Sequence, residues 1–220
     1  MYLLHLETAT KICSVALSKN GRCVQVIDVN GDGFVHGEQL TLLIQQVLQK
    51  EDISMHVLAG ISVGMGPGSY TGLRIGMSTA KALCFALNLP LLGVSSLGSL
   101  IEVARASFPS HVICAAFDAR RDEVFRRIES PEGNLMKTDG PEILDEHSYT
   151  QQDEIIWVGD ANEKVKNILK MGKINFQDHI EVSAKGQVKQ AYSNFLNKEF
   201  LDLASSTPNY AKAFYTTHKI

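Results

Sequence analysis

At 220 residues, with 45% hydrophobic and 20% charged residues, the chain has an ordinary globular composition and is long enough for one large domain or two small ones. A formal net charge of −3 and a pI near 6.2 exclude a protein that grips nucleic acid unaided, because phosphate binding needs a basic surface. The most apolar stretch, residues 80–94, is broken by Lys81, Asn88 and Pro90 and cannot span a bilayer.

The opening Tyr2-Leu3-Leu4-His5-Leu6 has no basic run ahead of it, and no signal-type leader is expected. Residues 3–7, 12–18 and 22–29 are predicted strands, the last two joined by Asn20-Gly21, a strong hairpin signal. A helix is predicted over 36–50, with Leu40, Leu43, Ile44, Val47 and Leu48 at helical spacing. Strand 58–63, helix 71–87, strand 91–94 and helix 96–107 complete a βββαβαβα order. After Phe108-Pro109 the order restarts with strands 112–117, 123–129 and 135–138 and a short helix within 142–151. Strand 155–158, helix 162–171, a strand within 174–182 and helix 187–203 follow. The expectation is an α/β chain of two tandem βββαβαβα units, residues 1–108 and 109–220, hinged near 107–110. Cys13, Cys23, Cys84 and Cys114 lie scattered in apolar runs with no Cys-x-x-Cys pair, which predicts buried free thiols and a cytoplasmic setting.

The densest motif is Gly64-Met65-Gly66-Pro67-Gly68-Ser69-Tyr70-Thr71-Gly72-Leu73-Arg74-Ile75-Gly76. A strand, a Gly/Pro loop and a helix start can cradle an anion on backbone N–H groups, which makes Gly66, Gly68, Ser69 and Arg74 candidate anion ligands. The loop lacks the Gly-Lys-Ser/Thr ending of a P-loop and the third Gly of a dinucleotide fingerprint. Together with Glu7-Thr8-Ala9-Thr10, His36-Gly37-Glu38-Gln39-Leu40, Gly93-Val94-Ser95-Ser96-Leu97 and Pro208-Asn209-Tyr210, it resembles the TsaB (YeaZ) family. These are subunits of the bacterial machinery that installs threonylcarbamoyl on a tRNA adenosine. The likeness runs from Leu6 to Arg120 and resumes at 208–210.

The resemblance implies two tandem actin-like (RNase H-like) subdomains in a glycoprotease-like superfamily. It also implies a non-catalytic subunit that pairs with the catalytic TsaD, is joined by the ATPase TsaE, and meets tRNA through the complex. Actin-like ATPases hold magnesium with acids at two strand ends, here Glu7 and Asp118, the latter followed by Arg120. Glu7 replaces the usual Asp, Ala9 stands where a phosphate-wrapping Gly belongs, and the adenosine-binding Gly pair is missing. No tightly bound cofactor is expected, and a nucleotide only at a partner interface. TsaD carries Asn-His-Leu-Glu-Gly-His where this chain reads Ser95-Ser96-Leu97-Gly98-Ser99-Leu100, so Ser96 and Leu100 replace the histidines and no metal is expected there. Ser69, Thr71 and His36 form no nucleophile elbow. Arg126 and Arg127 point to opposite faces of their strand and read as solvated charges.

Gly72, Gly76, Ala80 and Cys84 recur every four residues, a stripe of small side chains that packs either on the chain's own sheet or on a partner helix. The resemblance favours the partner, since TsaB proteins pair with TsaD, or with themselves, through their first two helices. The expected interface is Leu40, Leu43, Ile44 and Val47 on the first helix, with Gly72, Ile75, Gly76, Thr79, Ala80 and Leu83 on the second. The alternative is a stand-alone actin-like phosphotransferase or metallopeptidase.

Overall fold

A hairpin starts the fold. In the computed structural model, which describes residues 1–31, 36–149, 154–169 and 173–211, β2 (Ile12–Lys19) turns into β3 (Arg22–Asn30) at Asn20 and Gly21. Both turn residues have positive φ, 51° and 76°, as a two-residue turn matched to the strand twist requires. β1 (Tyr2–Glu7) pairs antiparallel with β2 and parallel with β4 (Leu58–Gly64), and β4 pairs parallel with β5 (Leu91–Val94). The five-stranded order is β3-β2-β1-β4-β5.

The second sheet repeats this plan. β6 (Val112–Asp118) pairs antiparallel with β7 (Glu123–Glu129), which pairs antiparallel with β8 (Leu135–Ile143). β9 (Ile155–Val158) and β10 (Ile174–Gln177) add on the other side in parallel, giving β10-β9-β6-β7-β8. Read from the third strand of each unit, the two sheets have one topology.

Helices α1 (His36–Lys50) and α2 (Tyr70–Leu87) cover one face of the first sheet. Strand alternation sends Leu4 and Leu6, Val15 and Leu17, and Ile61 and Val63 to that face, where they meet Leu40, Ile44, Val47, Met77 and Ala80. Helix α3 (Ser96–Arg105) packs Leu97, Leu100 and Ile101 on Ile113, Ala115 and Phe117 of the second sheet. The opposite face of that sheet holds Cys114, Ala116 and Trp157 against Val165 of α4 (Asn162–Ile168).

The C-terminal segment departs from the expected division at residue 108. A 3-10 turn (Ala184–Gln187) and α5 (Val188–Leu196) leave the second unit and cover the back face of the first sheet. Ala191 and Phe195 pack on Leu3, Leu92 and Val94. The Ala184 N–H donates to the Ser14 hydroxyl at 2.7 Å, and Leu201 bridges Leu91 at the edge of β5. The first sheet is therefore completed by residues 184–201 from beyond the second unit, because a sheet with two apolar faces needs two covers.

Three further expectations are corrected. The helix predicted within 142–151 is absent from the described residues: β8 extends to Ile143, and a turn follows at 145–148, with 150–151 outside the described residues. Glu142 is held extended by Arg126, by Lys137 at 3.1 Å and by the Tyr149 hydroxyl at 2.9 Å. The helix predicted to Leu203 ends at Leu196, and Lys198 then takes a positive φ of 59° to turn the chain toward β5. Helix α4 ends at Ile168, short of Met171, which lies outside the described residues.

Candidate functional site

The β1–β2 turn, the Gly loop and the start of α3 converge on Glu7, which is fully buried. Its Oε1 accepts from the backbone N–H groups of Thr8 and Ala9 and from the Ser96 hydroxyl, each at 3.0 Å. Its Oε2 accepts from Gln187 Nε2 at 3.2 Å. Burial raises the Glu7 pKa above its ordinary value despite these donors. The Ser96 hydroxyl also accepts from Gly66 N–H at 3.2 Å, tying α3 to the Gly loop. The carboxylate expected at a cation is thus turned inward and surrounded by the chain's own donors.

The glycines of the motif serve close packing. A Cβ on Gly64 would sit 2.4 Å from the Glu7 carboxylate. One on Gly66 would meet the Asn209 carbonyl at 2.7 Å, and one on Gly68 the Ala9 carbonyl at 2.3 Å. Gly72 lies against the Thr8 carbonyl and Gly76 against the Thr8 hydroxyl, which donates to Gly72 O at 2.8 Å. Ser69 gives its N–H to Ala9 O at 2.7 Å and caps α2 by accepting from Gly72 N–H at 3.2 Å. The Gly loop thus seats the β1–β2 turn and the 208–210 strap, and the N–H groups of Gly66 and Ser69 go to Ser96 Oγ and Ala9 O rather than to an anion. His36, buried at the start of α1, contributes to the same seat through Nε2, 2.8 Å from Thr10 O.

A polar chain runs behind Glu7 through the sheet. His5 Nδ1 and Nε2 each lie 2.7 Å from a hydroxyl, of Ser62 and Ser18 respectively. Gln187 Nε2 donates to Leu6 O and Glu7, so Oε1 is the acceptor for the Ser62 hydroxyl at 2.6 Å. Ser62 thus has only lone pairs left for His5, which places the imidazole proton on Nδ1. Burial lowers the His5 pKa to about 3. Sequence reasoning missed Gln187, Ser62 and Ser18; the available signal for the two serines was a polar residue inside an apolar strand run, and Gln187, on the 3-10 turn, had none.

Between the strand ends of the two sheets lies a cleft of about 270 Å³, lined in part by Thr10, Lys11, Asn30, Asp118, Asp160 and Glu181. Asp118 pairs with Lys164 and accepts from the Arg120 N–H at 2.7 Å, and Asp160 accepts from the Asp118 N–H at 2.8 Å. The protein packed around Asp160 raises its pKa, and the charge of Asp118 adds to the rise. Arg120 is exposed and does not line the cleft, and neither do Gly66, Gly68, Ser69 and Arg74. The structure thus separates the expected anion set into two places.

The expected interface is also redrawn. Leu40, Leu43, Ile44, Val47, Gly72, Gly76 and Ala80 are buried in the chain's own core, because α1 and α2 turn those faces to the first sheet. Within the small-residue stripe, Gly72 and Gly76 meet Thr8 of the β1–β2 turn, and Ala80 and Cys84 pack into the first-sheet core. Ile75, Thr79 and Leu83 are half-buried at its border. The outer side of α2 carries Thr71, Arg74, Ser78, Ala82 and Phe85, the last 84% exposed, and Leu42 stands out from α1 at 48%. Arg126 and Arg127 are not solvated charges: they are partly buried and paired with Glu142 and with Glu129 and Asp139. Cys13, Cys84 and Cys114 are buried free thiols as expected, whereas Cys23 is exposed.

Among the described residues no helix is long and apolar enough to cross a membrane. A family model described as "TsaD: tRNA N6-adenosine threonylcarbamoyltransferase" matches residues 35–217. The chain is 31% identical over 166 residues to the tRNA threonylcarbamoyladenosine biosynthesis protein TsaB of Escherichia coli, a match spanning 72% of this chain and 71% of that protein. The protein of the same name from Haemophilus influenzae is 31% identical over 123 residues, covering 56% of this chain and 51% of the relative, about half its length. Among solved structures, an uncharacterized Pseudomonas aeruginosa protein with similarity to peptidase YEAZ superposes with a TM-score of 0.84 at 25% identity, over 96% of this chain and 99% of that one. The activator of the 2-hydroxyisocaproyl-CoA dehydratase from Clostridium difficile has a TM-score of 0.55 at 11% identity over 93% of this chain and 100% of that one, a likeness of fold alone. The two tandem actin-like sheets, the family match and the E. coli relative agree: the chain belongs to the TsaB (YeaZ) family.

Proposed function

We propose that the chain acts in tRNA threonylcarbamoyladenosine biosynthesis, in the cytoplasm, as a non-catalytic subunit that pairs with a catalytic TsaD-type subunit. The observation that carries this reading is the filled seat around Glu7. Where an actin-like ATPase would wrap phosphate, the Ala9 and Asn209 carbonyls stand against Gly68 and Gly66. The Glu7 carboxylate takes hydrogen bonds from Thr8, Ala9, Ser96 and Gln187. At the resemblance's histidine positions, the Ser96 hydroxyl is spent on Glu7 and Leu100 is buried in the core. No tightly bound cofactor follows from such an arrangement, and the metal and the transfer chemistry fall to the partner.

Pairing is assigned to the outer side of α1 and α2, where Leu42, Ala82 and Phe85 offer apolar surface that this chain leaves uncovered among the described residues. The ATPase TsaE and tRNA would join through the complex, since a net charge of −3 gives the isolated chain little hold on a polyanion. A pair of identical chains through the same side is the resting alternative to the mixed pair.

The test is to deplete the protein in its own cell and measure threonylcarbamoyladenosine in bulk tRNA, which should fall and return on complementation. Glu7→Gln protein that remains folded should complement. Unchanged tRNA modification on depletion would overturn the pathway, and turnover of ATP or of a peptide by the purified chain alone would overturn the non-catalytic role.

A further inference from the structure

Near the start of α2 a cation is held in a fixed pose with no acid against it among the described residues. The Arg74 guanidinium carbon lies 4.1 Å from the Tyr70 ring centroid and 6.0 Å from that of Tyr210. Its Nε donates to the Tyr210 hydroxyl at 3.2 Å, and the two rings are 4.9 Å apart at 41°. Tyr210 is positioned in turn by the strap over the Gly loop, where Asn209 N–H donates to Met65 O at 2.7 Å and Pro208 is buried. A side chain with four rotatable bonds is thereby reduced to one orientation, and Arg74 remains exposed. Among the described residues no carboxylate pairs with it and neither Nη group has a hydrogen-bond partner. Arg105, Arg126 and Arg127 all face acids.

We infer that Arg74, stacked on Tyr70 and steadied by Tyr210, is the anchor that takes a carboxylate of the partner subunit. This rests on the reading above that the chain is a pairing subunit. A guanidinium whose Nε is already engaged presents its two Nη groups as an end-on fork, the geometry that matches both oxygens of one carboxylate. Holding the fork before contact removes most of the ordering cost of the bond. Tyrosine and arginine together are also the composition of residues that dominate protein interfaces. Arg74 lies on the same outer side of α2 as Ala82 and Phe85, so it continues the apolar surface with a directional contact.

A phosphate of RNA is the weaker match. Nucleic-acid affinity comes from several phosphates neutralised together. The other cation of this helix, Lys81, donates to Ala204 O at 3.4 Å, and the chain as a whole is acidic.

The experiment measures the dissociation constant between the full chain and its cognate TsaD-type subunit by calorimetry, with Arg74→Gln, Arg74→Lys and Tyr210→Phe variants whose thermal midpoints are checked first. Arg74→Gln should weaken pairing about thirty-fold, as loss of a dominant interface residue does. Arg74→Lys should lose nearly as much, because an ammonium neither stacks nor forks, and Tyr210→Phe should lose less because it removes only the hydroxyl acceptor. Unchanged pairing by Arg74→Gln overturns the anchor while leaving the subunit reading intact. Full rescue by Arg74→Lys reduces Arg74 to a point charge and overturns the forked contact. No pairing by the unsubstituted chain overturns both readings. A tRNA titration of the isolated chain that depends on Arg74 would assign the site to phosphate instead.

Discussion

At the scale of single residues, two glycines from different motifs answer to opposite physics. A Cβ on Gly72 would stand 2.1 Å from the Thr8 carbonyl, whereas one on Gly37, in the exposed first turn of α1, meets only a methyl of Ile75 at 4.0 Å. Gly72→Ala should therefore lower the unfolding free energy by about 1–3 kcal/mol, since the β1–β2 turn must shift to admit it. Gly37→Ala should raise it by about 0.4–1 kcal/mol by restricting the unfolded chain. Urea titrations of both variants check the pair, and equal effects would remove the close-packing account. Buried titratable groups supply a second residue-scale prediction. His5, lowered by burial to about 3 from 6.5, takes up its proton first in the unfolded chain, so its contribution is lost as pH falls below 6.5. His36, lowered for the same reason, acts in the same direction. Glu7 is raised above 4.5 by burial, so the folded chain keeps its proton longer and stability is lost as pH rises above 4.5 toward the folded value. Unfolding measured across pH in Glu7→Gln should lack that loss on the alkaline side, and in His5→Gln the acid-side loss should shrink without vanishing.

At the scale of elements, helix α2 shows which part of a sequence can be read directly. Its extent and its small-residue stripe are local properties spaced within one helix, and they were legible. What the stripe touches was not, because Thr8 lies 64 positions from its Gly72 partner and α2 is apolar on more than one side. The β1–β2 turn occupies the place that a partner helix was expected to fill. This sets the consequence of enlarging Ala80, which is fully buried between α2 and the first sheet. Ala80→Leu should destabilise the isolated chain by about 1–3 kcal/mol through overpacking. Ala82→Leu, two residues on, on the opposite side of the helix and exposed, should leave the thermal midpoint within a degree or two, since surface changes stay within about 0.5 kcal/mol. Under the proposed function, Ala82→Leu is also the variant that weakens pairing. Thermal melts of both, with pairing assays on Ala82→Leu, separate the inner side of α2 from the outer. The helix expected within 142–151 failed for a related reason: Glu142 finds Arg126, Lys137 and Tyr149 only after β7 and β8 have paired, and no local pattern reveals that contact.

At the scale of the whole molecule, tandem repetition was legible and the crossing of the C-terminal segment was not. The two sheets repeat one strand order, yet the elements that complete the first sheet come from the far end of the chain. The reason is geometric. Alternation along β1 sends Leu4 and Leu6 toward α1 and α2, and Leu3, His5 and Glu7 to the other side. A back face holding Leu3, Leu92, Val94 and a buried histidine cannot face water, and residues 184–201 seal it with Ala191, Phe195 and Gln187. Gln187 bonds Ser62, Leu6 O and Glu7 at once from across the sheet. The fragment 1–108 should therefore not behave as an autonomous domain, although it contains a complete five-stranded sheet and three helices. Without its second cover it exposes the apolar back face and leaves the polar groups of Ser62 and Glu7 without Gln187, each a loss of about 1–3 kcal/mol. Set against a typical domain stability of about 5–15 kcal/mol, these losses remove cooperative folding. The expected outcome is a fragment that binds a hydrophobic dye and melts without a sharp transition. Joining residues 184–211 to its C-terminus through a flexible linker should restore a cooperative melt. A sharp melt of 1–108 alone would mean that the back face tolerates water and that the C-terminal segment is an ornament on a finished domain.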